Sequence, residues 1–335
     1  MSHTNRQDSS GTDNSIEGVV LSGTGGTYQV LISSGETVES SLRGRLKYDA
    51  PKQSGRSDGS GDSERPLKLA VGDNVTLERE DAEGGWSITL IQPRRGKLAR
   101  RAPGGARGER VLVANVDQVI VVFAAANPEP HPKMLDRFLV IAEANDLKSR
   151  IVINKMDLAD AREMHEKFDD YARAGYALHF TSVKDNIGLE ELRVEIDGQT
   201  SALTGPSGVG KSSLMNALFP GLNLRTAEIS ESVNKGRHTT VGALLYPLPG
   251  GHGFVADTPG LREVGLWGLS VGDVDHCFPE YRALLGECRF ADCTHLVEPG
   301  CAIIAAVNAG NVSRSRYESF VKLRGELAHA EGTGW

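Results

Sequence analysis

The chain has 335 residues, 39% of them hydrophobic and 24% charged, with a formal net charge of −7. That length allows two or three cores, and the longest apolar run, Val119 to Ala126, is too short to span a bilayer. The negative balance argues against indiscriminate coating of nucleic acid while leaving room for a local basic surface. Four cysteines, three of them near one histidine, point to a metal site in a reducing compartment rather than to a disulfide framework. The first fifteen residues are polar, so a disordered tail and no secretory signal are expected. A cytoplasmic protein with no membrane attachment is the expectation.

From Ile16 the pattern turns to short alternating stretches. Gly18–Leu21, Tyr28–Ile32, Thr37–Ser41, Asn74–Glu78 and Trp86–Ile91 read as strands between Gly-rich turns. Five strands over residues 16–93 suggest a small closed barrel of the oligonucleotide-binding (OB) type. A Ser/Gly/Asp-rich insertion at 50–65 is too polar to pack and is expected to be a flexible loop, with Arg43, Arg45 and Lys47 just before it. Such barrels bind nucleic acids and also dock proteins. Residues 94–110 follow as a basic linker, with Arg94, Arg95, Lys97, Arg100, Arg101, Arg107 and Arg110 against the single acid Glu109. This composition suits a phosphate backbone, and a merely solvated linker fits it equally well.

Over 111–264 the periodicity becomes that of an α/β domain. Strands are expected at Gln118–Ala124, Arg150–Ile153, Ala177–Thr181, Ser201–Thr204, Val241–Tyr246 and Phe254–Asp257. Helices are expected at Pro132–Ala144, Ala161–Ala174, Gly188–Ile196 and from Ser212 to Leu218. The alternation implies a mostly parallel sheet covered on both faces, with ligands at the carboxyl ends of its strands.

The chemistry gathers at those ends. Gly205–Pro206–Ser207–Gly208–Val209–Gly210–Lys211–Ser212 fits G-x-x-x-x-G-K-S/T, the nucleoside-triphosphate phosphate loop, and Ser213 continues it into a helix. Its N–H groups and the helix N-terminus suit an anion. Lys211 would reach the β- and γ-phosphates, and Ser212 would ligate Mg²⁺. Asn154–Lys155–Met156–Asp157 is an N-K-x-D sequence. A carboxylate only accepts hydrogen bonds, so Asp157 matches the two adjacent donors of guanine and rejects adenine. Asn154 would brace the loop and Lys155 would lie on the ring face.

Thr181–Ser182–Val183–Lys184 resembles the second guanine-contact loop of GTPases. Asp257–Thr258–Pro259–Gly260 is a D-x-x-G at a strand end, with Asp257 toward Mg²⁺ and the Gly260 N–H toward the γ-phosphate. Gly236–Arg237–His238–Thr239–Thr240 supplies the switch threonine, either Thr239 or Thr240. Leu261 stands where Ras-like GTPases carry the water-orienting glutamine. His238 is the candidate replacement, with a structural switch residue as the equal alternative.

Cys288, Cys293, His295 and Cys301 form C-x4-C-x-H-x5-C, a complete tetrahedral set for one structural Zn²⁺. They lie in a C-terminal α-helical region, 265–335, with helices expected at Val271–Phe278, Glu280–Leu285 and Ser313–Ala328. Cys277 falls outside the spacing and reads as a small buried hydrophobe.

The base-binding pair precedes the phosphate loop, the reverse of the ordinary GTPase order. With the N-terminal barrel and the cysteine cluster, that order resembles the circularly permuted, ribosome-small-subunit-dependent GTPase family (RsgA, also called YjeQ). Gly236–Arg237–His238–Thr239–Thr240 and the order of motifs are the most specific parts of the resemblance. It implies GTP hydrolysis to GDP and phosphate with Mg²⁺, a structural zinc, and a monomer acting in late maturation of the 30S subunit through its rRNA. A GTP-gated RNA-binding or translation factor with another partner shares the chemistry. Asp157 counts against an ATPase or metabolic kinase.

Overall fold

The computed structural model describes residues 15–43, 68–80, 85–101, 109–224, 243–257 and 269–332. The chain divides into two compact units, one made of Met1–Leu69 with Asp73–Pro93, the other of Ala70–Gly72 with Arg94–Trp335. The expected tail and the 50–65 insertion lie outside the described residues, the tail up to Asn14.

The first unit is the expected barrel. Strands β1 (Ser15–Thr24), β2 (Thr27–Ile32), β3 (Thr37–Leu42), β4 (Asn74–Arg79) and β5 (Trp86–Ile91) close in the order β1-β2-β3-β5-β4. β1 pairs antiparallel with both β2 and β4, and a parallel β3–β5 pairing completes the ring. Alternation puts Val20, Val30, Val75, Leu77 and Ile88 inside, where they form one fully buried cluster.

The second unit opens with a correction. Residues 94–110 are not a linker throughout: β6 (Lys97–Arg101) pairs antiparallel with β7 (Glu109–Ala114). Buried Leu98 and Val113 are paired across this ribbon. Its backbone is also pinned to the rest of the unit, Ala99 N donating to Asn145 Oδ1 at 3.0 Å, and its open end is closed by Arg95 N donating to Asn115 Oδ1 at 2.9 Å. The arginines set the composition, but the few apolar side chains between them decide the structure.

The central sheet has six strands in the order β10-β9-β8-β11-β13-β12. They are β8 (Gln118–Ala124), β9 (Lys148–Asn154), β10 (Ala177–Phe180), β11 (Thr200–Thr204), β12 (Leu244–Pro247) and β13 (Phe254–Asp257). All pairings are parallel except β12 with β13. β8 is buried along its whole length, as a central strand covered on both faces must be. Its Ile120, Val122 and Ala124 join a core with α3 (Leu189–Ile196) and α4 (Lys211–Leu218). Phe123, between them, meets Phe138 of α1 (Pro132–Glu143) edge to face with centroids 6.4 Å apart. The chain builds β8, β9 and β10 outward in one direction and then returns to lay β11 on the other side of β8. The sheet order reverses there, at the carboxyl ends of β8 and β11, which is where open α/β sheets bind their ligands.

In the C-terminal region the helices expected at Val271–Phe278 and Glu280–Leu285 are replaced by single 3-10 turns at Asp275–Cys277 and Pro279–Tyr281. Pro279 cannot donate, and it holds Phe278 extended at φ −111°, ψ 99°. Helix α5 (Ala302–Asn308), unforeseen from the sequence, starts at the last cysteine of the cluster. Helix α6 (Arg314–Ala330) is the expected final helix, capped by the Ser313 side chain. Phe320 of α6 packs against Phe278 and Tyr281 with centroids 5.6 and 5.3 Å away.

This region is seated on α1 by ion pairs and reaches α2 (Ala161–Arg173), where Asp170 accepts from the Ser313 hydroxyl. Arg316, with its side chain 2% exposed, donates to Asp136 of α1 at 2.7 Å and to both oxygens of Glu280 at 2.8 and 3.0 Å. Tyr171, Tyr176 and Phe278 stack around its guanidinium. Burial opposes its charge, but the carboxylates of Glu280 and Asp136 outweigh that and keep it protonated. Arg282 pairs with Glu143 at 2.6 Å, and Arg137 with Glu326.

Candidate nucleotide site and metal centre

Four functional segments stand at one edge of the sheet because parallel strands deliver their carboxyl ends together. β11 runs into the phosphate loop, β9 into Asn154, β10 into Thr181, and β13 ends at Asp257. The phosphate loop depends on two glycines in particular. Gly205 has φ +129°, and a Cβ there would stand 2.0 Å from the Val122 carbonyl oxygen. Gly210 has φ +91°, and its Cβ would meet Asn154 Nδ2 at 2.7 Å. Any side chain at either position drives the loop off its neighbours. Lys211, the first residue of α4, is buried, and its ammonium donates to the carbonyls of Gly205 at 2.9 Å and Pro206 at 2.5 Å. The lysine is thereby held across the loop. Ser207 and Gly208 are exposed at the tip, Pro206 half-buried, Val209 buried beneath it. Ser212 is half-buried and Ser213 exposed on the first turn of α4.

The N-K-x-D segment is wired to that loop. Buried Asn154 donates from Nδ2 to the Val209 carbonyl at 3.0 Å and accepts at Oδ1 from the Thr181 hydroxyl at 3.2 Å. Lys155 adopts a left-handed backbone at φ +61° and donates from Nζ to the Gly208 carbonyl at 2.6 Å and to that of Asn127. Asp157 accepts from the Ser182 hydroxyl at 2.8 Å, with Lys184 Nζ 3.8 Å from its other oxygen. The structure therefore brings Asn154, Lys155, Asp157, Thr181 and Ser182 together with the phosphate loop. The Ser182 N–H is bonded to the Ile187 carbonyl at 3.1 Å. Asn127 escaped the sequence reading because it acts through its carbonyl, which any residue carries. Among the switch residues, only Asp257 is described, half-buried at the end of β13. Gly236, Arg237, His238, Thr239, Thr240, Thr258, Pro259, Gly260 and Leu261 lie outside the described residues.

Cys288, Cys293, His295 and Cys301 also converge, with their ligand atoms all within 4.8 Å of one another. Cys288 and Cys301 sulfurs are 3.9 Å apart and stand 3.5 and 3.4 Å from His295 Nδ1. A tetrahedron with Zn–S near 2.3 Å and Zn–N near 2.05 Å has edges of about 3.8 and 3.5 Å. The donors fit such an ion. Ala302 N and Ile304 N, at the start of α5, donate to the sulfurs of Cys288 and Cys301 at 3.3 and 3.5 Å, which favours thiolates. Burial pushes His295 below its ordinary value, toward the neutral imidazole that binds metal. His295 has φ +62°, a costly backbone for a side-chain-bearing residue.

Glu298 holds that turn, accepting from the N–H and hydroxyl of Thr294 and from the N–H groups of Leu296 and Val297. Burial alone would raise this carboxyl, but those hydrogen bonds hold it down at about 2. Cys277 is buried, away from the cluster; burial pushes its thiol up to about 12, as an unreactive core residue. Glu298 and Asp275, which faces His295, escaped the sequence reading because their roles depend on loop closure.

The protein named small ribosomal subunit biogenesis GTPase RsgA of Gemmatimonas aurantiaca is 61% identical over 314 residues, covering 93% of this chain and 98% of that protein. The protein of the same name from Chlorobaculum tepidum is 37% identical over 320 residues, with 93% and 98% covered. The crystal structure of YjeQ from Thermotoga maritima superposes with a TM-score of 0.72 at 34% identity, covering 93% of this chain and 98% of that one. That of YloQ, described as a circularly permuted GTPase, gives 0.70 at 26%, covering 97% and 99%. The family model of the RsgA GTPase matches residues 91–267, the stretch that holds the guanine-type loop ahead of the phosphate loop, and with these relatives it shows that the chain belongs to the RsgA GTPase family.

Proposed function

We propose that the chain binds GTP and Mg²⁺, hydrolyses GTP to GDP and phosphate, and acts in late maturation of the small ribosomal subunit in the cytoplasm, as a monomer that contacts the subunit and its rRNA. The observation that carries this is the Asp157 carboxylate, oriented by Ser182 and tied through Asn154 and Lys155 to the phosphate loop. Asp157 would take the two guanine donors. With the Ser182 N–H committed to Ile187, the donor to the base oxygen would come from Val183 or Lys184. Gly205 to Gly210 would wrap the phosphates, Lys211 would pair with them, and Ser212 and Asp257 would hold Mg²⁺, which neutralises phosphate charge when bound. Thr239 or Thr240 and the Gly260 N–H would respond to the γ-phosphate, with His238 completing the site in place of a glutamine. The four-residue Cys/His cluster would hold one structural Zn²⁺, which cross-links its loop without an open position for water. The functional modules would be 16–93, 111–264 and 265–335, with the basic stretch 94–110 folded into the second unit through the β6–β7 ribbon. No helix among the described residues is long and apolar enough to cross a membrane.

The test is GTP turnover by the purified chain with and without purified small subunits. Strong stimulation by small subunits, absent with large subunits, supports the reading. Turnover indifferent to the small subunit overturns the proposed partner.

A further inference from the structure

His295 presents Nδ1 to the sulfurs of Cys288 and Cys301. A ring that ligates through Nδ1 carries its proton on Nε2, and a proton on a buried nitrogen needs an acceptor. The carboxylate that faces this nitrogen is that of Asp275, whose Oδ2 stands 3.4 Å from His295 Nε2, with side chains 14% and 5% exposed. Asp275 lies twenty residues before the histidine, on a different segment, in the turn Asp275–Cys277.

We propose that Asp275 is the positioning residue of the metal centre, holding His295 as the Nε2–H tautomer, and that through it metal occupancy is linked to the seating of the C-terminal region on α1. The inference rests on the zinc reading above. The segment carrying Asp275 is the one that grips α1. Val274 and Cys277 on either side of it are buried. Arg282 donates to the His276 carbonyl at 3.0 Å and pairs with Glu143 at the end of α1, and Glu280 receives Arg316, which also holds Asp136. His295 is fixed from the opposite side as well, since the Tyr317 hydroxyl on α6 donates to its carbonyl at 2.9 Å. Ligand ring, docking segment and final helix thus meet at one imidazole. A metal that binds only the assembled ring must favour the assembled seam, and the seam must favour the metal.

The test uses the full chain and three readouts. Zinc per chain and its affinity against a chromophoric chelator are measured for the parent, Asp275→Asn and Asp275→Ala. The expectation is one zinc in the parent, a loss of affinity of about 10- to 100-fold for Asp275→Ala, and a smaller loss for Asp275→Asn, whose amide oxygen still accepts from Nε2–H without charge. Long-range ¹H–¹⁵N spectra of the parent imidazole should show the proton on Nε2. Hydrogen exchange over 132–143 should quicken when zinc is chelated. A zinc-loaded parent whose affinity is unchanged in Asp275→Ala, or a ring protonated on Nδ1, overturns the positioning role. Unchanged exchange in α1 overturns the link to the seam. A parent free of zinc overturns the zinc reading itself.

Discussion

The Ser182 hydroxyl donates a 2.8 Å hydrogen bond to Asp157 Oδ1, and the two residues come from the ends of neighbouring parallel strands. The bond leaves the carboxylate aimed by a group outside its own loop. Asp157→Asn replaces one acceptor by a donor facing guanine. GTP affinity should fall roughly 10- to 100-fold, as expected for a mismatch of about 1–3 kcal/mol, and xanthine nucleotides should gain. Ser182→Ala should cost less, about 3- to 10-fold, without changing base preference. Titration with fluorescent guanine and xanthine nucleotides checks both. Equal GTP affinity in Asp157→Asn and the parent would show that another group reads the base.

Gly205→Ala tests the phosphate loop apart from the base. A Cβ 2.0 Å from the Val122 carbonyl cannot be relieved by a rotamer change, so the loop backbone must move. Nucleotide binding should drop by at least tenfold, and stability should fall by about 1–3 kcal/mol. Equilibrium binding and urea denaturation measure the two losses separately.

Arg316 is the place where a single substitution should do most damage to stability. Arg316→Met leaves the carboxyls of Asp136 and Glu280 without their counter-ion, and removal of one member of a buried pair costs about 3–5 kcal/mol. The urea midpoint should shift accordingly at an unchanged slope. Adding Asp136→Leu and Glu280→Leu should recover most of the loss, because the uncompensated charges then disappear.

Metal removal should act locally first. Chelation is expected to release one zinc per chain and to unfold the loop between Cys288 and Cys301 together with α5, whose first turn is capped by Cys301. Elemental analysis and circular dichroism before and after chelation follow it. A C-terminal region intact after complete zinc loss would contradict a structural role.

Nucleotide state is expected to change affinity for the small subunit, with a non-hydrolysable GTP analogue and GDP differing by about 5- to 150-fold at one salt concentration. By linkage the subunit must tighten GTP by the same factor. Arg137, Arg282 and Arg316 fasten the C-terminal region to α1, so Arg316→Met should narrow the difference if that region transmits it. Equal affinities for both states would leave no switch.

Local sequence determined the chemistry of this protein. The phosphate loop and Asn154 to Asp157 are contiguous because backbone donors and a carboxylate acceptor work from short loops at strand ends, and the cysteine spacing is short because its donors close around one point. The barrel and the sheet were legible for a related reason, since alternation and apolar runs report burial directly. Three features were decided only by the tertiary structure. Arg94 to Arg110 reads as a charged linker, yet Leu98 and Val113 anchor a β-ribbon whose backbone bonds to Asn145 and whose open end Asn115 closes. Arg316 looks like any surface arginine on a final helix, and only its meeting with Asp136, 180 residues away, makes it a buried hub. Asp275 has no spacing to announce it, because a carboxylate that orients a ligand is defined by where the chain folds back. Charge and motif are properties of the local sequence, whereas burial and partnership are properties of closure, and the closure here depends on contacts between distant segments.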